Sequence, residues 1–185
     1  MAKTEVLMAG FGGQGMLLSG KLLAHAAMEE GKEVSWLPSY GPEMRGGTAN
    51  VTVCISEKKV GSPYITMPEA LLVMNQPSLE KFVTKVKPGG FIVVNTSLIS
   101  IKADRGDCTV LYIDAAGLAA KAGTARAANL VMFGAYVGWS DVVQHDMCVK
   151  MIEEEFASKA KFIAANVAAF EAGYAEGKKS RGGRS

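Results

Sequence analysis

The sequence predicts a three-layer α/β domain in which a mainly parallel sheet is flanked by helices and the chain closes with Ala-rich helices. Three observations carry that prediction. Short apolar runs at 4–9, 70–74, 91–94 and 110–113 have the length of buried strands. Stretches of helical periodicity stand between or after them, and Gly- and Pro-containing segments separate the two kinds. With 185 residues, 49% of them hydrophobic, the chain has the material for one sizeable core, and disorder of the whole is excluded.

Taken in order, Thr4 to Ala9 is the first strand, and a glycine cluster turns the chain into a helix from Gln14 to about Glu30, which Gly31 stops. Leu18, Leu22 and Ala26 share one face of this helix; Lys21, His25 and Glu29 recur at four-residue spacing on a solvated one. Glu33 to Leu37 makes a second strand and Pro38 to Thr48 a loop. Asn50 to Ser56 alternates as a half-buried strand does, and the turn at Lys58 to Pro63 predicts a hairpin to 64–66. Pro77 to Val86 is a helix between the strands at 70–74 and 91–94, with Pro88-Gly89-Gly90 punctuating the crossover. After Asp114 the pattern predicts helices over 115–122, 126–138, 142–156 and 158–175. In the last, Ile163, Val167, Phe170 and Tyr174 form an apolar seam expected to pack on its own domain. One domain is expected over 1–177, followed by a disordered basic tail over 178–185.

Charge and composition exclude several classes. Lys178, Lys179, Arg181 and Arg184 stand in the tail without an acid, so the body ahead of it is slightly acidic and lacks the basic excess that nucleic-acid binding needs. The longest apolar-plus-glycine run, Leu130 to Trp139, is about half of the roughly 20 residues that cross a bilayer, so neither a transmembrane helix nor a membrane partner is expected. Cys54, Cys108 and Cys148 are odd in number and far apart, with no Cys-x-x-Cys pair for zinc or a cluster; they read as reduced cytoplasmic thiols. No Ser/His/Asp order, paired carboxylates or metal motif is present, so catalytic and metal-ligating residues are both expected to be absent.

Two loops could carry chemistry. Gly10-Phe-Gly12-Gly13-Gln14-Gly15 fits G-x-G-x-x-G between a strand and a helix N-terminus, where exposed amides and the helix dipole attract an anion. A dinucleotide site also needs an acid at the end of the second strand to hold the ribose, and Ser35-Trp36-Leu37-Pro38 supplies none. The segment Ser39 to Gly47 puts Tyr40, Glu43 and Arg45 in a loop expected at the carboxyl edge of the sheet. There Arg45 can pair a carboxylate or phosphate, and Gly46 lets another backbone approach. A structural turn for the first loop, and an internal Glu43 to Arg45 link for the second, are the simpler alternatives.

The two loops in this order resemble the gamma subunit of 2-oxoacid:ferredoxin oxidoreductases. Similar features continue through Met16-Leu17-Leu18, Thr48-Ala49-Asn50-Val51, the Pro88-Gly89-Gly90 turn, and Asn129 to Gly134-Ala135. The likeness covers nearly the whole chain and is greatest to the 2-oxoglutarate (synthase) branch; the pyruvate, branched-chain and indolepyruvate enzymes use related domains. It implies a cytoplasmic complex of anaerobic metabolism that converts a 2-oxoacid and coenzyme A to acyl-CoA and carbon dioxide while reducing ferredoxin. It also implies that thiamine diphosphate, magnesium and iron–sulfur clusters reside in alpha, beta and ferredoxin-like delta partners, with no cofactor resident in this chain. On this reading the chain is structural or helps to shape the coenzyme A and substrate approach. Gly10, Gly12, Gly13, Gln14, Gly15, Tyr40, Glu43, Arg45 and Gly46 are then its expected contacts to an anion or partner. Two further readings stand beside it: the beta subunit of an indolepyruvate:ferredoxin oxidoreductase, and an autonomous nucleotide-binding module.

Overall fold

The computed structural model describes residues 3–40, 47–58 and 66–182, with Tyr40 described by its backbone. The predicted hairpin turn at 58–66 falls almost wholly outside them.

Five strands of the sheet point the same way and one is reversed. β1 (Thr4–Phe11), β4 (Ala70–Val73), β5 (Phe91–Asn95) and β6 (Thr109–Ile113) are parallel neighbours, while β3 (Thr48–Ser56) lies antiparallel between β1 and β2 (Glu33–Tyr40). The order is β2-β3-β1-β4-β5-β6, so the expected mainly parallel sheet is a mixed one with a reversed strand toward one edge. Connection length is the reason: the link between Tyr40 and Thr48 is too short for the crossover that a parallel pair requires.

β1 and β4 are buried on both faces, which explains their unbroken apolar sequences. Val6 and Met8 face one core with Val51, Leu72 and Phe91, covered by α1 (Met16–Glu29), α3 (Ala115–Lys121), α4 (Ala128–Ser140), α5 (His145–Glu155) and α6 (Ile163–Gly182). Leu7 and Ala9 face a second, smaller core with Leu71, Val73 and Ile92, covered by α2 (Gln76–Phe82) through Leu79 and Phe82. The predicted three layers are therefore present, unequal in thickness.

α4 is buried on every side, as a helix that is apolar all round must be. Phe91 of β5 stacks on Trp139 with ring centroids 4.2 Å apart and planes 4° from parallel. On its other side α4 meets α6 backbone to backbone. A Cβ added at Gly134 would lie 2.0 Å from the Phe170 carbonyl oxygen, and one at Gly173 would lie 1.9 Å from that of Val131. Gly138 and Gly177 repeat the arrangement one turn on. The seam of the last helix packs on its own domain here, with Phe170 fully buried and 5.2 Å from Phe133.

Boundaries depart from expectation at two places: β2 runs through Pro38 to Tyr40, where the sequence predicts a loop over 38–48, because these residues pair with Ala49 to Val51 of β3, which itself starts at Thr48, and the last helix differs at both ends. The last helix begins at Ile163, after a 3-10 segment over Ala157–Phe162 that bends at Lys159, and it runs to Gly182 rather than ending near 175. Residues 178–182, expected in a disordered tail, are thus helical. The physical reason lies in Asp141, which caps α4 in the left-handed region and pairs with both Lys178, at 2.9 Å, and Arg181.

Candidate functional site

β1 and β4 are adjacent, yet the helices that follow them leave for opposite faces of the sheet, α1 for the larger core and α2 for the smaller. Their carboxyl ends therefore diverge around a crevice, the position at which open α/β sheets receive ligands. The loop Gly10–Gly15 occupies it.

Hydrogen bonds hold this loop from three directions. The Gly12 amide donates to the Gly47 carbonyl at 2.9 Å, and the Gln14 amide closes a turn onto the Phe11 carbonyl at 3.1 Å. Gln14 Oε1 accepts from the Phe11 amide at 2.6 Å and from Asn75 Nδ2 at 3.3 Å. Asn75 follows β4, and its Oδ1 accepts from Ser78 N to cap α2, so one asparagine ties the two sides of the crevice together.

Gly15 ends the loop at φ +78°, a left-handed conformation, and a Cβ there would stand 2.7 Å from Asn129. Asn129 Nδ2 donates to the Gly15 carbonyl at 3.2 Å and to Ser19 Oγ at 3.3 Å, while Ser19 Oγ donates to the Asn129 carbonyl at 3.1 Å. These bonds join the first turns of α1 and α4. Neither helix has a side-chain cap at its N-terminus, so two positive dipole ends converge on one place.

Two clefts flank the loop and share Gly13, Gln14, Arg126 and Asn129. The one beside α1, α4 and α6, about 290 Å³, adds Lys159, Asn166 and the rings of Phe156 and Phe162. The other, about 270 Å³, runs along the carboxyl ends of β4 and β5 past Met74, Asn95, Ser97 and Leu98. Among the described residues no acid, histidine or cysteine lines either cleft, and Arg126 and Lys159 bring positive charge. Such a site can bind an anion.

Of the residues expected at the site, Gly10, Gly12, Gly13, Gln14 and Gly15 form the loop itself. Gly10 is needed for space, since a Cβ there would come within 2.7 Å of Gln14 Oε1. Tyr40 ends β2 opposite Ala49, which also pairs Gly10. Glu43, Arg45 and Gly46 lie outside the described residues. Their loop departs at Tyr40 and returns at Gly47, the residue bonded to Gly12, so both loops spring from one edge. Sequence reasoning missed Arg126, Lys159, Asn75 and Asn166, and saw Asn129 only as part of a resemblance.

Elsewhere His145 joins two helices: Nδ1 lies 2.8 Å from Asp146 Oδ1 and Nε2 lies 2.7 Å from Glu171 Oε1. Burial opposes its charge, but the two carboxylates outweigh burial and hold its pKa above the ordinary histidine value. Cys54 and Cys148 are buried, and burial pushes both thiols up. Among the described residues no group of three or more His, Cys, Asp or Glu could hold a metal ion, and no helix is long and apolar enough to cross a membrane.

The family described as pyruvate ferredoxin/flavodoxin oxidoreductase matches residues 5–176. A ketoisovalerate oxidoreductase subunit VorA from Methanothermobacter thermautotrophicus is 41% identical over 172 residues, 92% of this chain and 36% of that relative, so the chain spans about a third of its length. A 2-oxoglutarate synthase subunit KorC from Methanocaldococcus jannaschii is 31% identical, with 93% of this chain and 92% of that one covered. Among solved structures, the gamma subunit of a keto/oxoacid ferredoxin oxidoreductase from Geobacter sulfurreducens superposes with a TM-score of 0.82 at 30% identity, covering 95% of this chain and 99% of that one.

Proposed function

The chain belongs to the pyruvate ferredoxin/flavodoxin oxidoreductase family, and from that premise we propose that it is the gamma component of a complex that oxidatively decarboxylates a 2-oxoacid with coenzyme A and reduces ferredoxin. The observation that carries this reading is the near end-to-end match to a gamma subunit, in sequence and in fold. Within the complex the chain is structural or helps to shape the coenzyme A and substrate approach. The glycine loop, together with Tyr40, Glu43, Arg45 and Gly46, serves as the contact to the anionic co-substrate coenzyme A or to the partner that holds it. Thiamine diphosphate with magnesium, which stabilises the carbanion left by decarboxylation, and the iron–sulfur clusters that take the electrons belong to alpha, beta and delta partners in a cytoplasmic assembly. The match to the KorC relative, 31% identical and aligned over 92% of it, supports 2-oxoglutarate as the substrate. The higher identity of the VorA relative favours a branched 2-oxoacid as the second reading.

The test is anaerobic affinity purification of the chain at native expression, with the co-purified complex assayed for coenzyme A-dependent reduction of a viologen dye. 2-Oxoglutarate, ketoisovalerate and pyruvate are supplied in turn. Partners bearing thiamine diphosphate and clusters, with turnover on one acid, are expected, and that acid names the substrate. A chain recovered alone, or a complex without 2-oxoacid turnover, defeats the reading.

A further inference from the structure

β6 ends the sheet, bonded to β5 on one side only. Two bonds give the direction of its free groups. The Thr109 amide donates to the Gly90 carbonyl at 2.9 Å, and the Ile113 carbonyl accepts from the Thr96 amide at 2.9 Å. In a parallel ladder the N–H and C=O of one residue point the same way and those of the next point the other way. Thr109, Leu111 and Ile113 therefore face β5, while Val110 and Tyr112 direct their amides and carbonyls outward. Among the described residues no hydrogen bond meets those four groups. The opposite edge, β2, carries Pro38, which has no N–H to offer, a device that keeps strands from adding to an edge. β6 reads Thr-Val-Leu-Tyr-Ile, with neither proline nor charge.

The segment over 96–108 that leads into β6 is tied down, yet it keeps apolar side chains in solvent. Ser97 Oγ donates to Asp114 Oδ1 at 2.7 Å, the Ala103 amide donates to the Tyr112 hydroxyl at 2.9 Å, and Arg105 spans Asp107 and the carbonyls of Val83 and Val86. Leu98 is nevertheless 59% exposed, Ile101 37% and Tyr112 40%. Apolar side chains held outward beside an open sheet edge are the features of a surface on which an extended chain adds as a strand.

Charge decides the occupant. Asp114 follows β6 directly and Asp104 and Asp107 precede it, all exposed; Arg105 is spent on Asp107 and the two carbonyls, and Lys102 is the exposed cation of the segment. A second copy of the chain, paired antiparallel along β6, would set Asp114 of each copy beside Asp107 of the other, like charges across the new interface. A segment with cations at both ends meets the same acids favourably.

We propose that β6 receives, as a seventh strand, an extended segment of a partner subunit that is apolar along the length of β6 and bears Lys or Arg at both ends, its side chains resting on Leu98, Ile101 and Tyr112. That the partner is an oxidoreductase subunit rests on the gamma-component reading given above; the docking edge rests on β6 and the segment before it.

Amide hydrogen exchange, read residue by residue in the full chain alone and in the anaerobically purified complex, tests the assignment. The Val110 and Tyr112 amides are expected to exchange about tenfold or more slowly in the complex, and the Leu111 amide, already bonded to β5, to change less. Val110→Pro removes an outward donor without touching a bond to β5, and Leu98→Asp puts a charge on the apolar surface. Each should lower recovery of the partners about tenfold or more. Leu98→Asp, at an exposed position, carries the test if the proline variant fails to fold. Asp104→Lys should weaken recovery most at low salt. Met28→Asp, at an equally exposed apolar residue of α1, is the control and should retain the partners. A complex with 2-oxoacid turnover in which Val110 and Tyr112 exchange as they do in the free chain overturns the docking edge and leaves the gamma reading standing. Full recovery of partners by both Val110→Pro and Leu98→Asp also overturns it, as does protection of β6 that grows with the concentration of the chain alone, which assigns the edge to a second copy. A wild-type chain recovered without partners overturns both.

Discussion

Gly15 carries two burdens at once, a left-handed backbone and contact with Asn129, and each forbids a side chain there. Gly15→Ala is therefore expected to lower stability by about 1–3 kcal/mol, read from chemical denaturation, as a strained non-glycine residue does. His145 sets a pH dependence of definite sign. Its pKa is raised by Asp146 and Glu171 against the opposition of burial, so the stabilisation is complete below the ordinary histidine value of 6.5 and is lost as pH rises through the raised one. Glu30, Lys32 and Asp141 line the same recess. Thermal unfolding of the wild type should weaken over this range, and His145→Gln should flatten the dependence. The glycine loop was legible in the sequence because its backbone, left-handed at Gly13 and Gly15, demands residues with no side chain at fixed spacing. Asn166 was not, because an asparagine in an Ala-rich helix reads as a surface residue until the fold buries it.

α4 and α6 show how a residue's ordinary propensity is reversed by its neighbours. Replacing a helical glycine by alanine ordinarily stabilises a helix by about 0.5–1 kcal/mol. At Gly134 and Gly173 the new Cβ would meet carbonyl oxygens of the facing helix, backbone that cannot swing aside. Gly134→Ala is expected to destabilise by about 1–3 kcal/mol in denaturant titration, the cost of overpacking a tight interface. Gly182, with open space around it, is the control and should show no such loss. Truncating the exposed Arg181 to alanine should change stability by less than about 1 kcal/mol, since Asp141 keeps Lys178 and the pair is solvated. Helix periodicity revealed the seam from Ile163 to Tyr174, but the four-residue spacing of Gly134 with Gly138 and of Gly173 with Gly177 does not say which backbone lies against them.

The molecule as a whole brings its two flanking clefts and the base of the loop over 41–46 to one edge of the sheet, and among the described residues no acid lines either cleft. An edge of that charge suits an anionic co-substrate passed between subunits. Arg45→Ala is expected to leave the thermal unfolding of the chain unchanged while reducing coenzyme A-dependent turnover of the complex, or recovery of its partners, by at least tenfold. Unchanged turnover together with unchanged assembly would remove Arg45 from the contact.

The sequence by itself determined β1, β4 and β5, through apolar runs buried on both faces, the glycine loop, through spacing that only a strand-to-helix turn satisfies, and the ordered motifs that identify the family, whereas the apolar run expected to be a buried strand at 110–113 is the half-exposed edge strand β6. Tertiary structure alone decided that β3 runs against its neighbours, that residues 178–182 are helical, and that Arg126, Asn129 and Asn166 share a cleft with Gly13. Periodicity records which face of an element is apolar, a local property. Which element covers that face depends on pairwise fit across more than 100 residues of chain, as between Asn129 and Gly15, 114 positions apart, and no local pattern encodes that fit.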